Sequence, residues 1–320
     1  MPGRRSHAAL SGGFAVSLPP KNLSSSVKAR LQNKARETGR VYQELLQRYA
    51  MERFLYRFSQ SDHSDQFVLK GALLFSVWQT EYERRTTLDI DLLGFTENSL
   101  VNLEQFARDV CETVVEDDGV RFDPENIRVE RIKEDADYEG VRIRTFAYLE
   151  KSRIPLQIDI GFGDALVPDA IAAILPSILD FPAPQLRCYH QLTVIAEKFE
   201  AMVKLGTLNS RMKDFYDIWN ITQHAALSGS ELQKACAATF EHRHTPFRLE
   251  DDFFSARFVR TAGKQTQWTA FLRKQGIQDI APNQFEEVAT RLQTFFRPMV
   301  QAQIDNTPFE LNWEPGGPWR

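Results

Sequence analysis

The sequence predicts a mixed β-sheet of the α/β or α+β kind with flanking helices, followed by a helical C-terminal half. Three observations predict it. Four or more apolar or alternating runs lie between Phe67 and Phe162, with few helical stretches between the last three. Beyond Gln185 the apolar residues recur with a helical period. Between these halves Pro168, Pro176, Pro182 and Pro184 mark a linker or an irregular crossing.

Taken in order, Met1 to Pro20 carries Arg4-Arg5 and then small residues broken by Ser, Gly and Pro. That makes a poor signal h-region, and 1–20 is read as a disordered lead. Ser24-Ser25-Ser26 precedes a helix over 27–35, and a second over 41–59 has Leu45, Leu46, Tyr49, Phe54 and Leu55 as its stripe. A strand near Phe67 ends at Lys70-Gly71-Ala72, where a helix starts. A helix over 100–115 follows Asp91, then alternating runs over 127–132, 141–149 and 154–162. Helices are expected over 193–205, 213–224, 230–241, 253–275 and 284–304, and 310–320 reads as a tail. The domains expected are 21–180, the sheet with its N-terminal helices, and 181–309, the helical part.

Composition sets bounds on function. With 320 residues, 42% apolar and 26% charged, the chain is an ordinary globular one, and no apolar stretch approaches the ~20 residues needed to span a bilayer. Cys111, Cys188 and Cys236 are far apart and lack metal spacing, so packing in a reducing, cytoplasmic compartment is expected. A net charge of -4 argues against wholesale coating of nucleic acid. A local basic pocket is still allowed, because Lys70, Arg84, Arg85, Lys198, Arg211 and Lys213 fall in or beside the site motifs.

The chemistry is concentrated in Arg85-Thr86-Thr87-Leu88-Asp89-Ile90-Asp91-Leu92-Leu93. On a strand alternate side chains share a face, so Asp89 and Asp91 point one way and Leu88, Ile90 and Leu92 bury the other. Two like charges so close repel, and a divalent cation with nucleotide phosphates is the usual tenant of such an oxygen site; two solvated surface acids are the competing reading. Upstream, Gly71 ends an apolar run and lets a phosphate approach the backbone, unless it is a turn residue alone. Asp159, set among Gln157, Ile158 and Ile160, is costly to bury unless paired or metal-bound, and the three acids are read as one cluster.

In the helical half, Lys198 lies at the edge of a stripe of Leu192, Ile195, Phe199, Met202 and Val203, where a lysine usually snorkels to water. Asp214 and Asp217 share a helix face, and one of them could orient Lys198 or a neighbouring arginine; Asp214 also suits a first helical turn. His242 and His244 lack a third ligand and read as a polar loop. Phe253-Phe254, Phe258 and Phe295-Phe296 read as helix core rather than a base-stacking platform.

In their order and spacing, Lys70-Gly71-Ala72, the Arg85 to Asp91 segment, Asp159, Lys198 and Arg211-Met212-Lys213-Asp214-Phe215-Tyr216-Asp217-Ile218 resemble the nucleotidyl transferase AbiEii/AbiGii toxin family, part of the DNA polymerase beta type nucleotidyltransferase superfamily. The resemblance covers most of the chain from about Leu23. It implies an α+β fold: a nucleotidyltransferase-type mixed sheet with flanking helices plus a C-terminal helical domain. It implies Asp89, Asp91, Asp159, Lys198 and Asp214 as catalytic residues, with Mg2+ or Mn2+ held by Asp89, Asp91 and Asp159. NTP would be bound by Lys70, Gly71, Ala72, Arg85, Thr87 and Lys198. Two departures stand out: Ala72 follows the glycine where Gly or Ser is usual, and Thr87 takes a place where Ser is frequent.

The function implied is a toxin of a toxin–antitoxin or phage-defence system that transfers NMP from an NTP to the 3′ end of tRNA, with a cognate antitoxin as partner. Two other readings stay open: transfer to a protein or aminoglycoside-like small-molecule hydroxyl, or an NTP-binding or partner-binding module weakened at Ala72.

Overall fold

A computed structural model describes residues 22–78, 87–135 and 138–320. The expected lead over 1–20, and Arg84 and Arg85, lie outside the described residues.

Helices α1 (Leu23–Thr38) and α2 (Tyr42–Ser59) open the fold. The cap of α1 is Asn22, whose side chain accepts from the Ser25 amide, rather than the serines themselves. Gly39 ends α1 with φ 67°, a conformation that costs glycine nothing. The remaining elements of this half are β1 (Phe67–Lys70), α3 (Leu74–Trp78), β2 (Ile90–Gly94), α4 (Leu100–Glu112), β3 (Val120–Phe122), β4 (Arg128–Asp135), β5 (Tyr138–Leu149) and β6 (Ser152–Phe162). The stretch expected as a linker instead completes the sheet with β7 (Ile171–Ile174) and β8 (Gln185–Cys188).

Among the described residues these strands form one eight-stranded mixed sheet in the order β3-β5-β6-β2-β1-β8-β7, with β4 beside β3 on the free edge of β5. β2 runs parallel to β6 and antiparallel to β1, and β8 runs parallel to β1. The prolines hid β7 and β8 because a short antiparallel pair tolerates proline at its ends, where no ladder N–H is needed.

One face of the sheet is covered by α2 and α4. Phe54, Phe58, Phe67 and Phe106 meet there, with the Phe67 and Phe106 ring centroids 4.3 Å apart. Each such ring contributes about 2 kcal/mol by its burial. Arg57, bonded to Asp118 at 2.7 Å, and Arg53, bonded to Glu52 at 2.7 Å, satisfy the charges that α2 carries into this core.

The helical half comprises α5 (Gln191–Leu205), α6 (Met212–His224), α7 (Gly229–His242), α8 (Ala256–Val259), α9 (Ala262–Gln275) and α10 (Phe285–Ile304). The single helix expected over 253–275 is broken. Ser255 and Thr261 take extended backbone at the starts of α8 and α9, and the Ser255 hydroxyl accepts from the Phe258 amide at 3.1 Å. Phe253, Phe258, Phe295 and Phe296 are fully buried core, as expected, with Phe199 stacked on Phe296 at 3.8 Å.

The expected tail is tied down. Between α6 and α7 lies β9 (Leu227–Ser228), and β10 (Asn312–Trp313) pairs with it. The indoles of Trp313 and Trp319 donate to the carbonyls of Thr222 and Phe295 at 2.8 Å each. Two large aromatics with partnered N–H groups hold a segment that its prolines and glycines made look loose. No helix among the described residues is long and apolar enough to cross a membrane.

Candidate active site

The sheet builds one wall of the site. Parallel pairing of β2 with β6 sets Asp91 directly opposite Asp159, and Asp91 lies opposite Lys70 on β1. Asp89 sits just before β2, and one carboxylate oxygen each from Asp89, Asp91 and Asp159 lies within 4.8 Å of the others. The expected shared face therefore holds for the acids. Its apolar counterpart holds for Ile90 and Leu92, both fully buried, and fails for Leu88, which is 65% exposed because the strand begins only at Ile90.

Gly71 follows with φ 78°, and a Cβ built on it would overlap the Asp91 carboxylate. The glycine is thus needed twice, for its backbone angle and to admit Asp91. Ala72 lies in the turn between β1 and α3, where its carbonyl accepts from the Phe75 amide at 3.3 Å. The Thr87 hydroxyl donates to Asp89 Oδ1 at 2.6 Å, which orients that carboxylate. Burial, with the Asp89 charge alongside, pushes the Asp91 carboxyl up to about 6, against the opposing pull of Lys70.

Three carboxylates crowded against one another form a hard-oxygen donor set. The residues present fit a divalent cation.

The helices build the facing wall. Lys198 on α5 reaches α6, where its ammonium meets Asp214 Oδ1 at 2.5 Å and Asp217 Oδ2 at 3.0 Å. Both acids are buried, and the lysine side chain retains 18% exposure on the cavity side. Burial alone would raise the Asp214 carboxyl; the Lys198 ammonium overrides that and holds it below its ordinary value. Between the walls lies a cavity of about 710 Å³ lined by Lys70, Gly71, the three acids, Lys198, Arg211, Lys213 and Asp214. Its size suits a nucleotide.

Two arginines of the cavity had not been singled out from the sequence. Arg142 grips Asp159 through paired bonds, Nε to Oδ1 at 2.8 Å and Nη2 to Oδ2 at 2.6 Å. A signal for it existed: β5 and β6 form a hairpin turning at Glu150-Lys151, and counting back from that turn places Arg142 opposite Asp159. Arg243, just past α7, joins Asp164 at 2.9 Å and Glu200 at 3.0 Å, and Asp164 in turn meets Lys70 at 3.2 Å. Burial opposes the charge on Asp164, but Lys70 and Arg243 hold its carboxyl below the ordinary value. Nothing in the local sequence marks Arg243, since its partners come from distant segments. His242 and His244 flank it, both exposed: His244 lies in the expected polar loop, whereas His242 is the last residue of α7.

Comparisons with known proteins bear on this geometry. No curated protein matches the chain. Among solved structures, JHP933 from Helicobacter pylori is similar at 15% identity and a TM-score of 0.44, covering 83% of this chain and 94% of its own. A candidate nucleotidyltransferase from H. pylori is similar at 15% identity and a TM-score of 0.43, covering 83% and 96%. A family model described as nucleotidyl transferase AbiEii toxin, type IV TA system, matches residues 53–291, a span that includes the whole of the cavity's lining. On that match the chain belongs to the AbiEii nucleotidyl transferase toxin family of type IV toxin–antitoxin systems.

Proposed function

We propose that this protein transfers NMP from an NTP to the 3′ end of tRNA, using Mg2+ held by Asp89, Asp91 and Asp159. The observation that carries the reading is the cavity itself, in which three clustered carboxylates lie beside Lys70 on the sheet wall and share the space with Lys198, Arg211 and Lys213 of the helical wall. A carboxylate cluster with cations around it is what a metal-bound triphosphate requires.

In the reaction a bond forms between an acceptor hydroxyl oxygen and the α-phosphorus, and the bridging oxygen leaves with pyrophosphate. When bound, the metal neutralises charge that builds on the phosphates. Lys70 and Lys198 would add point charges on the triphosphate, with Gly71 and Ala72 letting it lie against the backbone and Thr87 holding Asp89 in place. Asp214 and Asp217 would aim Lys198. Arg142 would fix the plane of Asp159, which could accept the hydroxyl proton. Arg85 keeps its proposed NTP contact from outside the described residues.

The test is incubation with Mg2+ or Mn2+, each α-³²P-labelled NTP in turn and total bacterial tRNA, beside the Asp89→Ala variant. Label on tRNA with the intact site alone supports the reading and names the nucleotide. Label on protein or on an added aminoglycoside instead would replace tRNA as the acceptor. No label on any acceptor would leave the binding-module reading.

A further inference from the structure

We propose that the open face of the sheet across β3, β4, β5 and β6 is the seat of the acceptor, a single-stranded RNA end lying along β5 with its terminal hydroxyl at the carboxylate cluster. The choice of RNA rests on the nucleotidyltransferase reading above.

Along β5 the residues Val141, Ile143, Thr145, Ala147 and Leu149 are buried against the covered side. The alternate residues Arg142, Arg144, Phe146 and Tyr148 face outward, a span of about 20 Å at strand rise. Their strand neighbours add Arg128 beside Arg144, Arg153 beside Tyr148 on β6, and Arg121 beside Tyr148 on β3, all three exposed. The strip starts at Asp159, gripped by Arg142, and so leads directly out of the metal site.

Its chemistry fits nucleic acid. Arg153 lies over Phe146, with its Cζ 3.5 Å from the ring centroid, and Arg121 lies over Tyr148 at 4.5 Å. Guanidinium planes backed by rings are surfaces on which unpaired bases stack, while their N–H groups reach phosphates. Of the acids described beside the strip, Glu130 bonds Arg144 at 2.5 Å, and Asp123 accepts from Asn126 and Tyr148. The one aromatic hydrocarbon of the strip, Phe146, is covered by the Arg153 guanidinium, which leaves its surface cationic.

The reaction's geometry selects this side. Attacking and leaving oxygens stand roughly in line across the phosphorus. Lys70, the strand-borne cation suited to the leaving phosphates, comes from β1, which lies on the opposite side of β2 from β6 and β5. An in-line hydroxyl must approach from the other side, where β5 lies.

The experiment is fluorescence anisotropy of a labelled single-stranded RNA with a free 3′ hydroxyl, without NTP, over a salt series. Removing Arg121, Arg128 and Arg153 together (R121A, R128A, R153A) should weaken binding on the order of 100-fold at ~0.1 M salt and flatten the log–log salt slope by about 2. Arg128→Ala alone, which disturbs no ring contact, should give about a third of that change in slope. Arg257→Ala, Arg273→Ala and Lys274→Ala together remove equal charge elsewhere and should change neither. Unaltered affinity in the sheet variants, equal loss in the control, absent RNA binding by the wild-type protein, or capture of this face by an antitoxin protein instead of RNA would each overturn the proposal. Because the readout needs no turnover, failure of the transfer reaction would show only in the labelling assay.

Discussion

The two walls of the cavity are held by different means. On the sheet wall the backbone does the placing: Asp91 and Asp159 are neighbours because parallel strands put them in register, and Gly71 leaves room for the first of them. On the helical wall side chains do it: Lys198 is where it is because Asp214 and Asp217 draw it across from one helix to the next. A site fixed by hydrogen-bonded backbone should lose function on substitution without losing its fold. A site fixed by buried ion pairs should lose both together.

The largest expected effect tests the sheet wall. Asp89→Ala and Asp91→Ala should each bring metal-dependent transfer below detection while the melting temperature holds or rises, since each removes one of several crowded like charges. Retained transfer would sink the metal assignment. Gly71→Ala should follow closely, losing most activity and more than the ~1–2 kcal/mol of stability that its left-handed backbone angle alone would cost, because the added Cβ also overlaps Asp91. Denaturant melts beside activity assays would check it, and normal activity would return Gly71 to a simple turn residue.

On the helical wall Lys198→Ala should raise the KM for NTP and also cost about 3 kcal/mol, because it strands two buried carboxylates. The variant carrying Lys198→Met, Asp214→Asn and Asp217→Asn should recover most of that stability and none of the affinity for NTP. Recovery of both, measured by melts and steady-state kinetics, would contradict the role given to the lysine.

The smallest effect is in pH. Burial, with Asp164 alongside, pushes the Glu197 carboxyl from its usual 4.5 up to about 7. Because the folded value lies above the unfolded one, the protonated group's stabilisation is complete below pH 4.5 and is lost as pH rises through about 7. Glu197→Gln should therefore gain on wild type between those limits when melts are compared at matched pH. Parallel curves would show that Arg243 already compensates the charge.

The same contrast explains how much could be read from the sequence. Alternation over 127–132, 141–149 and 154–162 marked the strands found at 128–135, 138–149 and 152–162, an apolar run marked the one at 67–70, and the spacing of the acids at positions 89, 91 and 159 was legible with them, because a period of two survives in the linear chain. The stripes of α2, α5 and α10 were equally visible. Strands β7 and β8 were hidden by their prolines, the break at Ser255 to Thr261 by a continuing apolar pattern, and the docked C-terminal segment by its turn residues. By itself, then, the sequence determined the kind of fold, the carboxylate strand and the order of the site motifs, since each rests on local period and spacing. Only the tertiary structure decided that Arg142 grips Asp159, that Arg243 ties Asp164 to Glu200, and that two aspartates share Lys198. These contacts join residues far apart in the chain, and the packing of strands and helices, not any local pattern, brings them within bonding distance.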